Sequence, residues 1–433
     1  MTEHVHSQII SDDAAPEARR DAPHVLVAGP GYIGAIAALA LANQGFRVTL
    51  VGTPDTARAA GDTRSTALFP EAVAFLSTLS DTLAEALDQH ARPLKGIRIL
   101  DRTTRFLRAP EVTFLAEEAG LSALADNMPN AALSAALAAA VDDHDGISRH
   151  NMTIARAEEI RDRVVLVGAD GARIEGDLVV GADGRGSRVR ETSGIRQTAW
   201  DYTQTAVTCR IMHSAPHEDI STEFHRRGGP LTTVPGVTDA DASGPGYSSH
   251  LVWVERPEAA AGLARLDDAA FIETLGEELD GLLGTLHAVG PRGAYPIKGG
   301  TADPVASGRA FLVGEAAHVL PPIGAQGMNL GVRDVMGLAD ILRPLARSSK
   351  ATGALPSDAV RAAVRAYVAE RRGDIWFRTA AVDVLNRSLT TGLWPVRALR
   401  GAGLQAVAMV PALKRATMAA GFGARLPLPG SSR

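Results

Sequence analysis

The stretch that decides the fold runs from Val27 to Gly52 and reads VAGPGYIGAIAALALANQGFRVTLVG. It begins inside a short apolar strand, HVLVAG (residues 24–29), and passes through G-P-G-Y-I-G into AIAALALAN, a run of helix formers. FRVTLVG then supplies a second strand, so the whole has the size and order of a βαβ unit. Gly29 permits the tight turn, Gly31 leaves no side chain between backbone and a pyrophosphate, and Gly34 lets helix and strand pack closely. The helix N-terminus adds an attraction for phosphate. A glycine triplet alone is weak evidence; between a strand and a helix it reads as a dinucleotide site. Position 52, 18 residues beyond Gly34, departs from the pattern, because Gly52 stands where an Asp or Glu would accept the ribose hydroxyls. Thr53 and Asp55 follow as candidate substitutes, the alternative being backbone and water. The missing acid removes two charge-assisted hydrogen bonds of about 1.5–3 kcal/mol each at most. Weaker binding is expected, and a Glu restored at position 52 is expected to tighten it.

The rest of the chain is compatible with a large soluble α/β protein. With 433 residues, 45% apolar and 21% charged, it can bury the cores of two or three domains. A net charge of -5 gives no reason to expect nucleic acid as a partner. The single cysteine excludes an internal disulfide and any cysteine-based metal cluster. Cys209 lies in the strand-like TAVTCRIMH and reads as a buried thiol rather than a reactive one. Residues 1–22 are polar and acidic, lack the apolar run of a secretory signal, and read as a disordered tail with an incidental His4/His6 pair. No stretch approaches ~18 uninterrupted apolar residues, so a cytoplasmic protein is expected.

Strand and helix patterns alternate through the first 200 residues, which predicts a Rossmann-like α/β layer. RVVLVGADGARIEGDLVVGADG reads as a hairpin turning at Asp170–Gly171, followed by a buried strand. From about residue 199 to 296, long alternating strands such as TAVTCRIMH and SSHLVWVE predict a second domain on a mostly antiparallel sheet. The expected division is a cofactor domain in three pieces (23–98, 126–198 and 297–348), a short excursion (99–125), the second domain (199–296) and a C-terminal helical region (355–423). In the last cofactor piece, Leu330, Val335, Leu338 and Ile341 recur at near-helical spacing.

Two further blocks carry chemistry. DLVVGADGRGSRVRETSGI (177–195) runs a strand into an Asp–Gly turn at Asp183 and Gly184. FLVGEAAHVLPPIGAQGMNLGVRDV (311–335) ends a strand at Gly314, places the Glu315 carboxylate where it can grip hydroxyls, and opens through a Pro- and Gly-rich loop onto a helix N-terminus. His318 reads as a structural histidine bonding loop backbone, and no metal site is assigned. Asp201 and Tyr202 read by default as sheet-edge residues.

Taken together and in this order, the three blocks resemble the class A FAD-dependent monooxygenases, and among them the ubiquinone-biosynthesis hydroxylases of the UbiH/UbiF type. DTRSTALFPEAVAFL, MPNAALSAAL, GGPLTTVPG, AYPI and RALRGAGLQAVAMVPALKRATMAAGFG extend the resemblance over roughly residues 23 to 423. It implies an FAD-binding domain, a substrate domain and C-terminal helices. Gly29, Gly31 and Gly34 would hold the FAD pyrophosphate, and Arg64 of the D-x-R segment would lie near flavin and phosphates. Asn130 would start a helix beside the cofactor, a plain N-cap being the alternative. Asp183 and Gly184 would serve FAD and the nicotinamide donor, Gly314 would belong to the cofactor-binding set, and Glu315 would contact the ribityl chain, where the family usually has Asp. Pro322, Gly324, Gln326, Gly327 and Asn329 would face the isoalloxazine ring, with no acid–base residue required.

The reaction implied takes NAD(P)H and O2 through a C4a-hydroperoxyflavin to hydroxylate a small aromatic ring, in this branch a prenylated phenol. A different aromatic substrate and a non-catalytic scaffold are the alternatives. Residues 392–423 mix apolar residues with Arg397, Arg400, Lys414 and Arg415. They read either as a segment docking peripherally on the inner membrane or a biosynthetic complex, or as a helix pair covering the core of the flavin domain.

Overall fold

The computed structural model describes residues 22–103, 111–236, 246–348, 355–391 and 394–422. Residues 1–21 of the expected N-terminal tail (1–22), the tip of the 226–247 loop, part of the 348–358 linker and the last residues of the chain lie outside the described residues.

The opening stretch forms β1 (His24–Ala28), α1 (Tyr32–Asn43) and β2 (Arg47–Val51), with β1 and β2 parallel and Val27 opposite Leu50. Helix α1 is apolar on every side, and residues Gly34 to Ala42 are all buried, as expected for a helix covered on all faces. The strands Ile147–His150, Leu178–Gly181 and Ala310–Leu312 complete a parallel sheet around this pair, and Ala306–Ser307 adds an antiparallel edge. The Val and Leu runs of β1, β2 and Leu178–Gly181 mark strands buried on both faces. The 170–171 hairpin forms between Arg163–Gly168 and Arg173–Gly176.

A nine-stranded sheet forms the second layer. Its axis is the 18-residue strand Arg196–His213, antiparallel to Tyr247–Glu255 on one side and Gly293–Asp303 on the other. Ile220–His225 brings in Gly96–Asp101 through the one parallel pairing, and Val112–Leu115 follows it. The sheet is therefore mostly antiparallel. The helix Asp268–Leu279 packs Phe271, Leu275 and Leu279 against Trp253 and Cys209 to make this layer's own core.

The helix Gln326–Ser348 returns to the first layer and buries Leu330, Val335 and Leu338 there. The 34-residue helix Ser357–Thr390 packs along it, and its Tyr367 hydroxyl donates to the carbonyl of Leu312 at 2.8 Å. The final helices, Trp394–Met409 and Pro411–Phe422, correct the expectation of a cover for the flavin-domain core. Met418 is buried with Val112, Phe114 and Leu124 at the edge of the larger sheet, because Lys414 pairs with Glu118 and Arg400 with Asp101 there. Leu399, Met409, Val410 and Leu413 stay exposed. No helix among the described residues is long and apolar enough to cross a membrane.

Cys209 is buried in the middle of the second layer, and burial pushes its thiol up to about 12. A thiol-specific reagent at pH 8 is expected to label the native protein at a negligible rate and to titrate one thiol after unfolding in guanidinium.

Candidate cofactor site

The glycine turn after β1 is fixed by backbone geometry. Gly29 donates its N–H to the carbonyl of Val51 at 2.8 Å and adopts φ +104°; a Cβ there would lie 2.5 Å from the Ala182 oxygen. A Cβ on Gly34 would lie 1.8 Å from the Gly29 oxygen, so Gly34 permits the crossing of helix and turn. Gly31 differs from both. Its backbone is extended, and a Cβ there would meet nothing within 4 Å. That open side faces a cavity of about 740 Å³, a volume in the usual range for cofactor and ligand sites.

Gly29, Gly31, Arg64, Asp183 and Glu315 all line this cavity, as do Tyr32, Thr53, Asp55, Asp62 and Arg149. Gly34, Gly184 and Gly314 support the turns behind it, the last two with φ of +76° and +60°. The expectation for position 52 is overturned. Gly52 has φ +141°, and a Cβ there would approach Pro30 Cδ at 2.5 Å. A Glu at 52 would strain the turn rather than improve the site.

Polar side chains tie the loops together. Arg64 grips Asp62 with Nε at 2.8 Å and Nη2 at 2.7 Å, and Asn130 Nδ2 donates to the same carboxylate at 3.1 Å. Burial works against ionisation of Asp62, but the hydrogen bonds from Arg64 and Asn130 outweigh it and hold the carboxyl below its ordinary value. The Arg64 guanidinium also lies over the Tyr295 ring of the second layer, 4.7 Å from its centroid. Asn130 is not an N-cap: it is the first residue of the helix Asn130–Asp142, and its side chain reaches Asp62 and Thr66. Asp183 accepts from Ser187 Oγ at 2.5 Å and from the amides of Arg188 and Val189. Its carboxylate therefore holds the Asp–Gly loop in shape. Buried Arg190 connects that loop to the Glu315 turn, donating to Ala316 O at 3.0 Å and Arg185 O at 2.9 Å. Glu315 itself is exposed, 3.5 Å from Arg185.

None of Pro322, Gly324, Gln326, Gly327 and Asn329 lines the 740 Å³ cavity. Asn329 accepts from the Phe69 amide and donates to Ala67 O and Ala325 O, each at 2.8 Å. Gln326 accepts from Arg378 at 2.9 Å and donates to Gly421 O at 3.0 Å. His318 corrects another expectation, since its partner is a carboxylate: Nε2 lies 2.6 Å from Asp334 Oδ2. Asp334 also accepts from the Gly314 amide and from Arg371 Nε, both at 2.9 Å. Arg371 continues to Asp374 and Asp374 to Arg378. Sequence spacing gave no signal for Asp334, Arg371, Asp374 or Arg378, whereas Asp62 was visible in the D-x-R segment.

A βαβ turn with an open Gly31 and a cavity roofed by the 183–188 and 315 loops fits a dinucleotide cofactor. Residues 23–371 match the FAD binding domain family, and the chain belongs to it, among the FAD-dependent monooxygenases of the UbiH/UbiF-like hydroxylase group. Over 91% of its length it is 31% identical to the ubiquinone hydroxylase UbiL of Rhodospirillum rubrum, of which it covers 88%. It is 28% identical over 90% of its length to the 3-demethoxyubiquinol 3-hydroxylase of Escherichia coli, covering 96% of that protein. The fold is shared with p-nitrophenol 4-monooxygenase PnpA of Pseudomonas putida (TM-score 0.69, 18% identity, 93% of this chain and 98% of that one). PqsL of Pseudomonas aeruginosa, solved with 2-aminobenzoylacetate, shares it equally (TM-score 0.69, 21% identity, 88% and 99%).

The framework behind the site carries a pH signature. Burial opposes ionisation of Asp374, yet Arg378, Arg371 and Arg333 bring its carboxyl down to about 2. In the unfolded chain the same carboxyl titrates near ~3.9. The unfolded state therefore takes up the proton first, and Asp374 contributes stability above that value that is lost as pH falls through the folded one. Urea unfolding of Asp374→Asn is expected to give a flatter stability profile than the wild type from about pH 4 to pH 2.

Proposed function

We propose that this FAD-dependent monooxygenase hydroxylates a small aromatic ring with NAD(P)H and O2, and that the ring belongs to a prenylated phenol of ubiquinone biosynthesis. The observation that carries the cofactor part is the cavity onto which Gly31 opens. The substrate part is supported by the two ubiquinone-pathway hydroxylases that align over nearly their whole length.

Bound FAD supplies the redox chemistry, taking electrons from NAD(P)H and activating O2. The chain's own residues bind and orient. In this reading Gly29, Gly31 and the first amides of α1 hold the pyrophosphate, with Gly34 keeping the helix in place. Arg64, fixed by Asp62 and Asn130, sets a positive charge at the cavity wall next to the second layer. Glu315 accepts from ribityl hydroxyls, and Asp183 and Gly184 shape the loop beside them. Pro322, Gly324, Gln326, Gly327 and Asn329, on a loop outside that cavity, would face the flavin ring. The helix N-terminus at Gln326 would favour negative charge on a reduced ring held there. Phenol substrates supply their own electron density, so no general base is assigned. Peripheral contact with a membrane from the cytoplasmic side, through Leu399, Met409, Val410 and Leu413, completes the proposal.

Gly31→Leu separates binding from folding. Its side chain enters open space, so the apoprotein is expected to keep its circular dichroism and lose no more than about 1 kcal/mol of stability. FAD affinity, measured by quenching of flavin fluorescence, is expected to fall by about 100-fold or more. For the substrate, deletion of the gene should accumulate an under-hydroxylated prenyl phenol. An unchanged quinone profile would point instead to a different aromatic substrate. A purified protein that takes up no FAD would point to a scaffold.

A further inference from the structure

We infer that Arg149 holds the adenosine half of the cofactor, a hydrogen-bond donor standing in for the carboxylate that position 52 cannot carry. The inference rests on the FAD reading and names the residue that grips the half of FAD remote from the flavin.

Position 52 is closed by geometry. A Cβ on Gly52 would lie 2.5 Å from Pro30 Cδ and 3.3 Å from Pro30 Cγ. The backbone is pinned on both sides, since Val51 O accepts from the Gly29 amide at 2.8 Å and the Gly52 amide donates to His150 O at 3.0 Å. Its φ of +141° disfavours an ordinary side chain independently of the contact.

The sheet order separates the two halves of the site. The glycine turn follows β1, which has β2 and Ile147–His150 on one side and Leu178–Gly181 and Ala310–Leu312 on the other. In a βαβ dinucleotide unit the adenosine ribose lies at the end of β2. The cavity wall on that side is built from Gly52 and Thr53, from Ser134 and Ala138 of the helix Asn130–Asp142, and from Arg149.

Arg149 belongs to the strand Ile147–His150, opposite Leu50 of β2. Its Nε pairs with Asp142 Oδ1 at 2.6 Å, and its Nη2 donates to Ala138 O at 3.0 Å. Both ties run to one helix, and they fix the plane of the guanidinium while 30% of the side chain stays accessible. Nη1 has no partner among the described residues. The other two guanidiniums at the cavity serve different segments: Arg64 grips Asp62 beside the second layer, and Arg188 pairs with Glu191 beyond the Asp183 loop. Ribose hydroxyls and adenine ring nitrogens accept hydrogen bonds as readily as the hydroxyls donate them. A fixed cation therefore serves, through charge-assisted bonds, the half of the ligand that an acid would otherwise hold.

The test is FAD titration of apoprotein for the wild type, Arg149→Met and Asp142→Asn, with the melting temperature of each apoprotein recorded. Met keeps an apolar stem in place of the arginine and removes its donors. Asp142 does not line the cavity, so Asp142→Asn loosens the tie and leaves the guanidinium in the protein. Arg149→Met is expected to weaken FAD binding about tenfold or more with an unchanged apoprotein melting temperature. Asp142→Asn is expected to stay within about threefold of the wild type, because the pair it breaks is solvent-accessible. Unchanged FAD affinity in Arg149→Met would overturn the assignment, as would a loss matched by a lower melting temperature. An equal loss in Asp142→Asn would also overturn it, by assigning the effect to the tie between strand and helix. A wild type that fails to bind FAD at all would instead remove the reading on which the assignment rests.

Discussion

A single buried carboxylate organises the back of the cofactor site. Asp334 has no exposed surface, and it accepts hydrogen bonds from the Gly314 amide, His318 and Arg371. The first two belong to the turn after the strand Ala310–Leu312, and the third to the long C-terminal helix. Burial disfavours the charge, but His318 and Arg371 hold the carboxyl below its ordinary value. From Arg371 the chain of contacts runs through Asp374 and Arg378 to Gln326 at the mouth of the second glycine-rich loop. Arg333 joins the same cluster through Asp374 and Glu71. Three carboxylates thus face three guanidiniums, and at the Asp334–Arg371 pair, 0% and 4% exposed, removing one member strands a charge with little access to water. Breaking such a buried pair typically costs about 3–5 kcal/mol, far more than a surface ion pair.

This arrangement makes the C-terminal helices part of the site's framework. Two segments that the sequence places near the cofactor, Gly314–Glu315 and Gly324–Asn329, are positioned by one helix, Ser357–Thr390, standing behind both. Gly421 of the last helix accepts from Gln326, so the outermost element also touches the loop. Asn386 reaches Gln204 of the long strand and joins the second layer to the same helix.

What could be read from the sequence was local. Gly29, Gly31 and Gly34 sit within six residues, and the constraints they satisfy act over the same distance, so their spacing records the turn. The apolar runs of β1, β2 and Leu178–Gly181 record burial on both faces in the same way. Contacts between distant segments leave no such trace. His318 and Asp334 are 16 positions apart on different elements, and Gln326 and Gly421 are 95 apart. The misreading of position 52 has the same origin. Whether an acid can stand there depends on residue 30, which the glycine pattern treats as free to vary, and only the fold brings the Pro30 ring against Gly52.

The division of labour between side chain and backbone follows from these ties. Arg190 joins the 183–188 loop to the 315 turn, Asn329 joins residues 67–69 to Ala325, and Asn130 joins Asp62 to Thr66. Each uses its polar groups to lock one loop to another. A site built this way is rigid before anything binds, because the groups that fix its shape are already paired. It also explains why its glycines are not equivalent. A Cβ on Gly34 would collide with Gly29, whereas a Cβ on Gly31 would meet nothing within 4 Å, so the protein's own packing requires glycine at the first position and not at the second.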